Sequence, residues 1–166
     1  MKKLCYIPHF GDIFYESPAE YYDASIKRNG VYLDFDISFS GEPVALSQME
    51  SMQKMMDELD AADEKLMRYL REQAAEENGG IVGNYTSMLI KELPPENMAA
   101  LIAPENSDPP HLQVLRQMNL VRLGFIPEDD FQFAIFDYSI DIFLTRTVIT
   151  IYVNEKGDIL DSMIIK

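Results

Sequence analysis

An Asn-Gly dipeptide, Asn29-Gly30, constrains the fold of this chain more than any other feature, because it stands between two runs with alternating apolar side chains. Both residues tolerate the positive φ of a two-residue hairpin turn, so the dipeptide is a strong hairpin signal. The alternation is clearest in residues 31–39, where every second residue is apolar. We therefore predict an antiparallel hairpin formed by strands 21–27 and 31–39.

A two-residue turn also predicts the register of this hairpin. It places Ile26 opposite Leu33, so that apolar side chains meet on one face. On the other face it places Asp23 opposite Asp36, with Asp34 nearby. Opposed carboxylates destabilise paired strands unless a positive charge offsets them. Three interpretations stay open for these three aspartates: a solvated surface on which Lys27 or Arg122 offsets the charge, a site for a hard cation, or a surface that binds a partner.

Residues 47–118 change to a helical pattern, and they contain eight of the ten methionines. Ser47 and Glu50 fit a capping box at the start of the first helix. Stripes of apolar residues predict further helices at about 62–74, 83–93, 95–103 and 109–118, the last capped by Asp108. The first helix carries four closely spaced methionines, which form either core or an adaptable binding groove. They are Met49, Met52, Met55 and Met56.

The C-terminal part returns to a strand pattern, with strands predicted at about 120–126, 131–138, 144–153 and 158–165. Both faces of the strand 131–138 are apolar, which is typical of an interior strand covered on both sides. The predicted core comprises Leu33, Phe35, Ile37, Leu123, Phe125, Phe133, Ile135, Ile149 and Ile151.

The order of strands, helices and strands predicts the fold class. Segregated elements favour an α+β fold, here an antiparallel β-sheet with a central block of helices packed mainly on one face. A length of 166 residues and the lack of a linker predict a single domain over residues 1–166.

The charge balance restricts the classes of partner. The net charge is -14, with 28 acidic and 14 basic residues. Such a surface repels phosphate and anionic lipid, so we expect no nucleic acid and no membrane as direct partners. A basic protein partner fits the charge, and so does mimicry of nucleic acid. The oligomeric state stays open.

The cysteine and the N-terminal residues favour a cytoplasmic protein. The single Cys5 has no internal partner for a disulfide, which is typical of a reducing compartment. No apolar stretch follows the first charged residues, so we expect no signal peptide. The sequence contains no run of about 18 apolar residues, so we expect no membrane span.

Few residues favour catalysis. Asp137 and Tyr138 end an apolar strand, where a carboxylate acts as a general base or pairs with an arginine such as Arg122. Cys5 and His9 lie about 13 Å apart in an extended chain, too far for a nucleophile and its base. The sequence contains no zinc-binding, phosphate-loop or dinucleotide motif, so we expect no metal and no cofactor.

Three segments carry a resemblance to a known family, and together they span most of residues 20–165. They are Asp34–Ile37 followed by Glu42-Pro43, then Arg122–Pro127, and, as the most specific, Phe133–Ile140. The chain resembles an uncharacterised bacterial family, domain of unknown function two thousand and four. The resemblance implies a small bacterial cytosolic α+β protein without an established reaction, cofactor or site. Small families of this kind often supply immunity proteins that neutralise a toxin.

Three functions follow from these observations. The first is a non-enzymatic acidic interaction module, with the immunity type as a specific form. The second is a small metal-dependent or carboxylate-based hydrolase-like enzyme, and the third is a nucleic acid mimic that binds a basic protein. The candidate binding residues are Asp23, Asp34, Asp36, Arg122, Asp137 and Tyr138.

Overall fold

The computed structural model describes residues 3–166, which form a six-stranded sheet, a two-stranded hairpin and five α-helices. The strands are β1 (Leu4–Ile7), β2 (Gly11–Phe14), β3 (Tyr21–Arg28), β4 (Val31–Ser38), β5 (Asn119–Phe125), β6 (Ala134–Ser139), β7 (Val148–Val153) and β8 (Ile159–Ile165). The helices are α1 (Leu46–Asp57), α2 (Leu59–Ala74), α3 (Gly80–Glu92), α4 (Pro95–Leu101) and α5 (Pro110–Leu115). The predicted α+β class is confirmed.

The β3–β4 hairpin has the predicted turn and register. Asn29 and Gly30 have φ values of 53° and 80°, and Asp23 lies opposite Asp36. The dipeptide therefore sets the register, and the register places the carboxylates.

The six strands lie side by side in the order β3-β4-β5-β6-β7-β8. Every neighbouring pair is antiparallel except β4 and β5, which run parallel. The sequence pattern predicts only antiparallel pairs, so the parallel contact between β4 and β5 differs from the prediction. The helical block makes it possible, because a parallel connection needs a long crossover and residues 39–118 supply one.

The main core lies between the helices and one face of the sheet. Buried side chains of the central strands, such as Phe35, Leu123 and Phe136, meet Met49 and Met52 of α1 there. The β1–β2 hairpin packs on the same side, where the His9 ring stacks on Phe35 with 5.2 Å between the ring centroids. The helices and this hairpin therefore cover one face of the sheet.

Several predicted helix ends differ from the structure: α2 begins at Leu59 rather than 62, α5 ends at Leu115 rather than 118, and three helix starts differ for local reasons. Helix α1 begins at Leu46, and the Gln48 side chain accepts a hydrogen bond from the Ala45 backbone, so Ser47 and Glu50 form no capping box. Helix α5 begins at Pro110, after Pro109 rather than an Asp108 cap. Helix α3 begins at Gly80 instead of 83, directly after the left-handed Asn78 and Gly79.

The prediction for strand 131–138 is wrong in two respects. The strand begins at Ala134, because the Asp129 carboxylate accepts hydrogen bonds from the Phe131 and Gln132 backbones and holds them in a bend. Phe133 consequently turns into the core, where its ring lies 5.9 Å from that of Phe125. Ile135 is buried, but it lies on the other face and outside the main core. The strand is interior in the sheet, and helices cover only one of its faces.

Two further strand predictions differ from the structure. Strand β7 begins at Val148 instead of 144, because residues 141–145 form a turn in which the Asp141 carboxylate accepts the Phe143 N–H. Strand β2 is absent from the prediction. Its turn needs a positive φ at His9, which a histidine adopts only occasionally.

Candidate functional site

The open face is the side of the six-stranded sheet opposite the helices, and over residues 3–166 no helix packs on it. The register places Asp34 and Asp36 of β4 on this face, beside Arg122 of β5 and Asp137 of β6. Asp23 of β3 lies next to Asp36. Five of the six candidate residues therefore share one surface, although they come from four strands.

Arg122 binds carboxylates on both neighbouring strands. Its Nε and Nη2 donate to the two Asp36 oxygens at 2.7 and 2.9 Å, and its Nη1 donates to Asp137 at 3.1 Å. The other Asp137 oxygen accepts the Thr150 hydroxyl at 2.6 Å. A polar row thus crosses β4, β5, β6 and β7, which we call the arginine row: Asp36, Arg122, Asp137 and Thr150.

The charges of the arginine row are partly removed from water. The Arg122 side chain is 36% exposed, and those of Asp36 and Asp137 are 12% and 13% exposed. Burial opposes the charge on Arg122, but the hydrogen bonds and charges of the two aspartates outweigh it and raise the pKa of the guanidinium. Arg122 therefore stays charged and held in place at every physiological pH.

Gly124 leaves the space that the Arg122 guanidinium occupies. A Cβ atom at this position would lie 2.5 Å from Arg122 Nη2 and 2.8 Å from Asp36 Oδ1. Any larger residue would consequently push the Arg122–Asp36 pair apart. A glycine inside a strand otherwise weakens it, so the close approach of the ion pair explains this one.

The three aspartates of the hairpin do not converge on one point. Asp34 accepts the Ser25 hydroxyl at 2.7 Å, Asp36 is bound to Arg122, and Asp23 is exposed on the edge strand. Over residues 3–166 no three side chains of the Asp, Glu, His and Cys types are grouped to hold a metal ion. The arrangement offers exposed carboxylates rather than a closed coordination site.

Tyr138 lies apart from the other five candidate residues, although it follows Asp137 in the strand. Neighbouring residues of a strand point to opposite faces, and Tyr138 is fully buried on the helical side. Its hydroxyl donates to Asp63 at 2.6 Å, and Asp63 is in turn paired with Arg28 at 2.9 Å. Burial and the Asp63 charge raise the pKa of Tyr138, so the phenol stays protonated.

Cys5 and His9 are both occupied in packing. Cys5 is buried, and its burial together with the negative Glu50 and Asp12 raises the pKa of the thiol. A raised pKa makes a thiol a poorer nucleophile at neutral pH. The His9 ring stacks on Phe35. Cys5 and His9 are therefore not arranged as a nucleophile and its base.

Sequence reasoning missed the apolar part of the open face. Ile135 and Tyr152 lie opposite each other, the exposed Phe131 ring packs on Tyr152 at 5.5 Å, and Met163 continues the patch on β8. The signal was the alternation in β7, where Thr150 and Tyr152 fall on one face and Ile149 and Ile151 on the other. This alternation indicates an uncovered apolar surface only once it is known that helices cover only one side of the sheet.

Comparison of the chain with protein-family models, with curated proteins and with solved structures finds no match. Within residues 3–166, no helix has the length and apolar character that crossing a membrane requires. The functional argument therefore depends on the geometry of the open face.

Proposed function

We propose that this chain is a non-enzymatic interaction module that binds a basic protein through the open face of its sheet. The observation that carries the proposal is an uncovered sheet face on which exposed acids and aromatic rings lie together. By register it presents five aspartates and two basic residues: Asp23, Asp34, Asp36, Asp137, Asp161, Lys27 and Arg122. The excess of acid on this face, within a chain of net charge -14, matches a partner of opposite charge.

The exposed groups of β3 and β4 supply the contacts. Asp23 and Asp34 carry no ion pair within residues 3–166, so both are free to meet lysine or arginine. Tyr21 and Tyr32 are 59% and 49% exposed on the same face. Tyrosines are enriched at protein interfaces, because they offer a large apolar area and a polar hydroxyl.

The arginine row supports a binding role over a catalytic one. Both of its aspartates are engaged by Arg122, and Thr150 binds the remaining oxygen of Asp137. A general base needs an oxygen free to take a proton from a substrate. The row fixes the strands instead, and it leaves the charged surface to Asp23 and Asp34.

A toxin-neutralising immunity protein is a specific form of this function, and the resemblance to the bacterial family of unknown function favours it. The partner would then be a basic toxin whose active surface the open face covers. Mimicry of nucleic acid has weaker support, because Arg122 and Lys27 interrupt the rows of acids.

The test uses a photo-crosslinking amino acid at Tyr32 to capture partners in the bacterial cytosol, with the same amino acid at Ile90, exposed on α3, as a control. The captured protein is then purified and its affinity measured. We expect a basic protein whose Kd rises at least tenfold in the double variant Asp23→Lys/Asp34→Lys. The affinity should also fall steeply with added salt.

The matched control is Glu72→Lys/Glu105→Lys, which changes the net charge equally at exposed positions of α2 and of the segment after α4. It should leave the Kd within about twofold, since it does not touch the open face. Equal weakening by both double variants would indicate unspecific charge attraction. A partner captured only from Ile90 would contradict the proposal.

A further inference from the structure

A second candidate site lies on the helical side of the sheet, in a cavity of about 350 Å³. Helices α1 and α2 form two walls, and the turn between β7 and β8 forms the third. Small-molecule sites have volumes of about 300 to 1,000 Å³, so this cavity reaches the lower end of that range. It is separate from the open face, because the sheet lies between them.

The floor of this cavity is apolar. Phe136 and Val153 contribute from the sheet, Leu66 from α2 and Met55 from α1. Met55 is the methionine of α1 that the core does not bury, whereas Met49, Met52 and Met56 are buried. The crowding of methionines in the sequence therefore has a structural outcome: three form core and one lines a cavity.

The mouth of the cavity has the opposite charge to the rest of the chain. It is lined by three lysines and two glutamates: Lys54, Lys65, Lys156, Glu58 and Glu155. The net charge of the mouth is therefore 3 − 2 = +1, in a chain of net charge -14. None of the three lysines makes an ion pair within residues 3–166.

The remaining polar groups of the mouth are already engaged in part. Lys65 donates to the Gly157 carbonyl at 2.5 Å, which ties α2 to the β7–β8 turn. Glu155 accepts the Ser51 hydroxyl at 2.9 Å. The unpaired ammonium groups of Lys54 and Lys156 are thus the ones left to receive an anion.

We propose that this cavity binds a small amphipathic anion, with its apolar body on the Phe136–Val153 floor and one carboxylate at Lys54 and Lys156. Lysine binds carboxylate as a compact point charge with rotatable donors. The two glutamates disfavour a second negative charge on the ligand and leave no excess charge to attract a cationic peptide. A medium-chain carboxylate has the required form. This site is independent of the proposed protein-binding face.

Calorimetric titration of the full chain with octanoate tests this, with 1-octanol as the uncharged equivalent. We expect octanoate to bind with a Kd between micromolar and low millimolar, and octanol at least tenfold more weakly. Lys54→Gln/Lys156→Gln should weaken octanoate binding at least tenfold. Lys91→Gln, a change at an exposed lysine of α3, should leave the Kd unchanged.

A second variant tests the apolar part. Ala62 lines the cavity, so Ala62→Leu should fill it and abolish octanoate binding while all three lysines remain. Octanoate should also raise the melting temperature of the unaltered chain and of Lys91→Gln, but not of the double lysine variant. Absence of octanoate binding, equal affinity for octanol, or an unchanged Kd in the double lysine variant would each overturn the proposal. Binding to the partner protein through the open face should be unaffected throughout.

Discussion

Arg122 joins two parts of the sheet that are far apart in the sequence. It reaches Asp36 on β4 across the parallel strand pair and Asp137 on β6 across an antiparallel one. Removal of the guanidinium would leave two poorly exposed carboxylates without their partner. Loss of one partner of an ion pair is costly in a protein interior. The Arg122 side chain is 36% exposed, however, so solvent screens its charge and reduces this cost.

We predict that Arg122→Ala lowers the free energy of unfolding by about 1–3 kcal/mol, because it leaves Asp36 and Asp137 unpaired. Gly124→Ala should cost about 1 kcal/mol in the native background, since its Cβ displaces the guanidinium. In the Arg122→Ala background the same substitution should cost less, because only the Asp36 contact remains and the guanidinium no longer holds that carboxylate in place. Urea unfolding of the four proteins measures this cycle. An equal effect of Gly124→Ala in both backgrounds would show that the close approach has no energetic role.

The raised pKa of Tyr138 should make the folded protein less stable at alkaline pH. Its folded pKa is raised above the ordinary value of 10.0, so the unfolded chain releases this proton first as the pH rises. The contribution is therefore complete below pH 10.0 and is lost progressively above it. Burial raises the pKa of Tyr85 in the same direction.

Unfolding measured from pH 7 to 11 should show a decline for the unaltered chain, with a slope of up to about 1.4 kcal/mol per pH unit from each such tyrosine. Tyr138→Phe should reduce this slope, although it costs about 1 kcal/mol at neutral pH through loss of the bond to Asp63. The control Tyr6→Phe, at an exposed position, should keep the slope of the unaltered chain. An identical slope in Tyr138→Phe would contradict the assignment.

At the scale of elements, strand β4 contributes three almost fully buried side chains, Leu33, Phe35 and Ile37, to the core. Phe35 is buried against the β1–β2 hairpin, whose Phe10 ring meets it edge-on with 6.5 Å between the ring centroids. We predict that Phe35→Ala costs about 3–5 kcal/mol, as loss of a buried aromatic ring does. It should also make the β1–β2 hairpin more sensitive to limited proteolysis. Phe143→Ala, at an exposed loop position, should change stability by less than about 0.5 kcal/mol. A cost below about 1 kcal/mol for Phe35→Ala would be inconsistent with this packing.

The elements that could be predicted from the sequence are those set by local rules. The Asn29-Gly30 turn determines its own register, and with it the Asp23–Asp36 pairing. Phe133 was misplaced because a bend that the Asp129 carboxylate holds interrupts the alternation before Ala134. The same alternation places Tyr138 on the face of Phe136, as in the structure. The arginine row depends on contacts distant in the sequence. Arg122 was a candidate partner of Asp137 and of the aspartate cluster, but its bond to Asp36 depends on the parallel contact of β4 with β5.

At the scale of the whole molecule, the sheet divides into two parts that meet at a single parallel contact. The first part is the β3–β4 hairpin, and the second is the antiparallel run from β5 to β8. Each part is built from contacts between strands that follow one another in the sequence. Only the contact between β4 and β5 depends on the crossover through the helical block.

This division has a consequence for the newly made chain. The hairpin β3–β4 is complete once Ser38 has left the ribosome, but the strand that pairs with its inner edge begins only at Asn119. In the interval β4 presents unpaired backbone groups, the kind of edge that other nascent chains can pair with. Helices form from local contacts and therefore quickly, so α1 and α2 can shield the apolar side of the hairpin first. The stage at which this protein most depends on chaperones should thus be the synthesis of the helical block, before β5 is available.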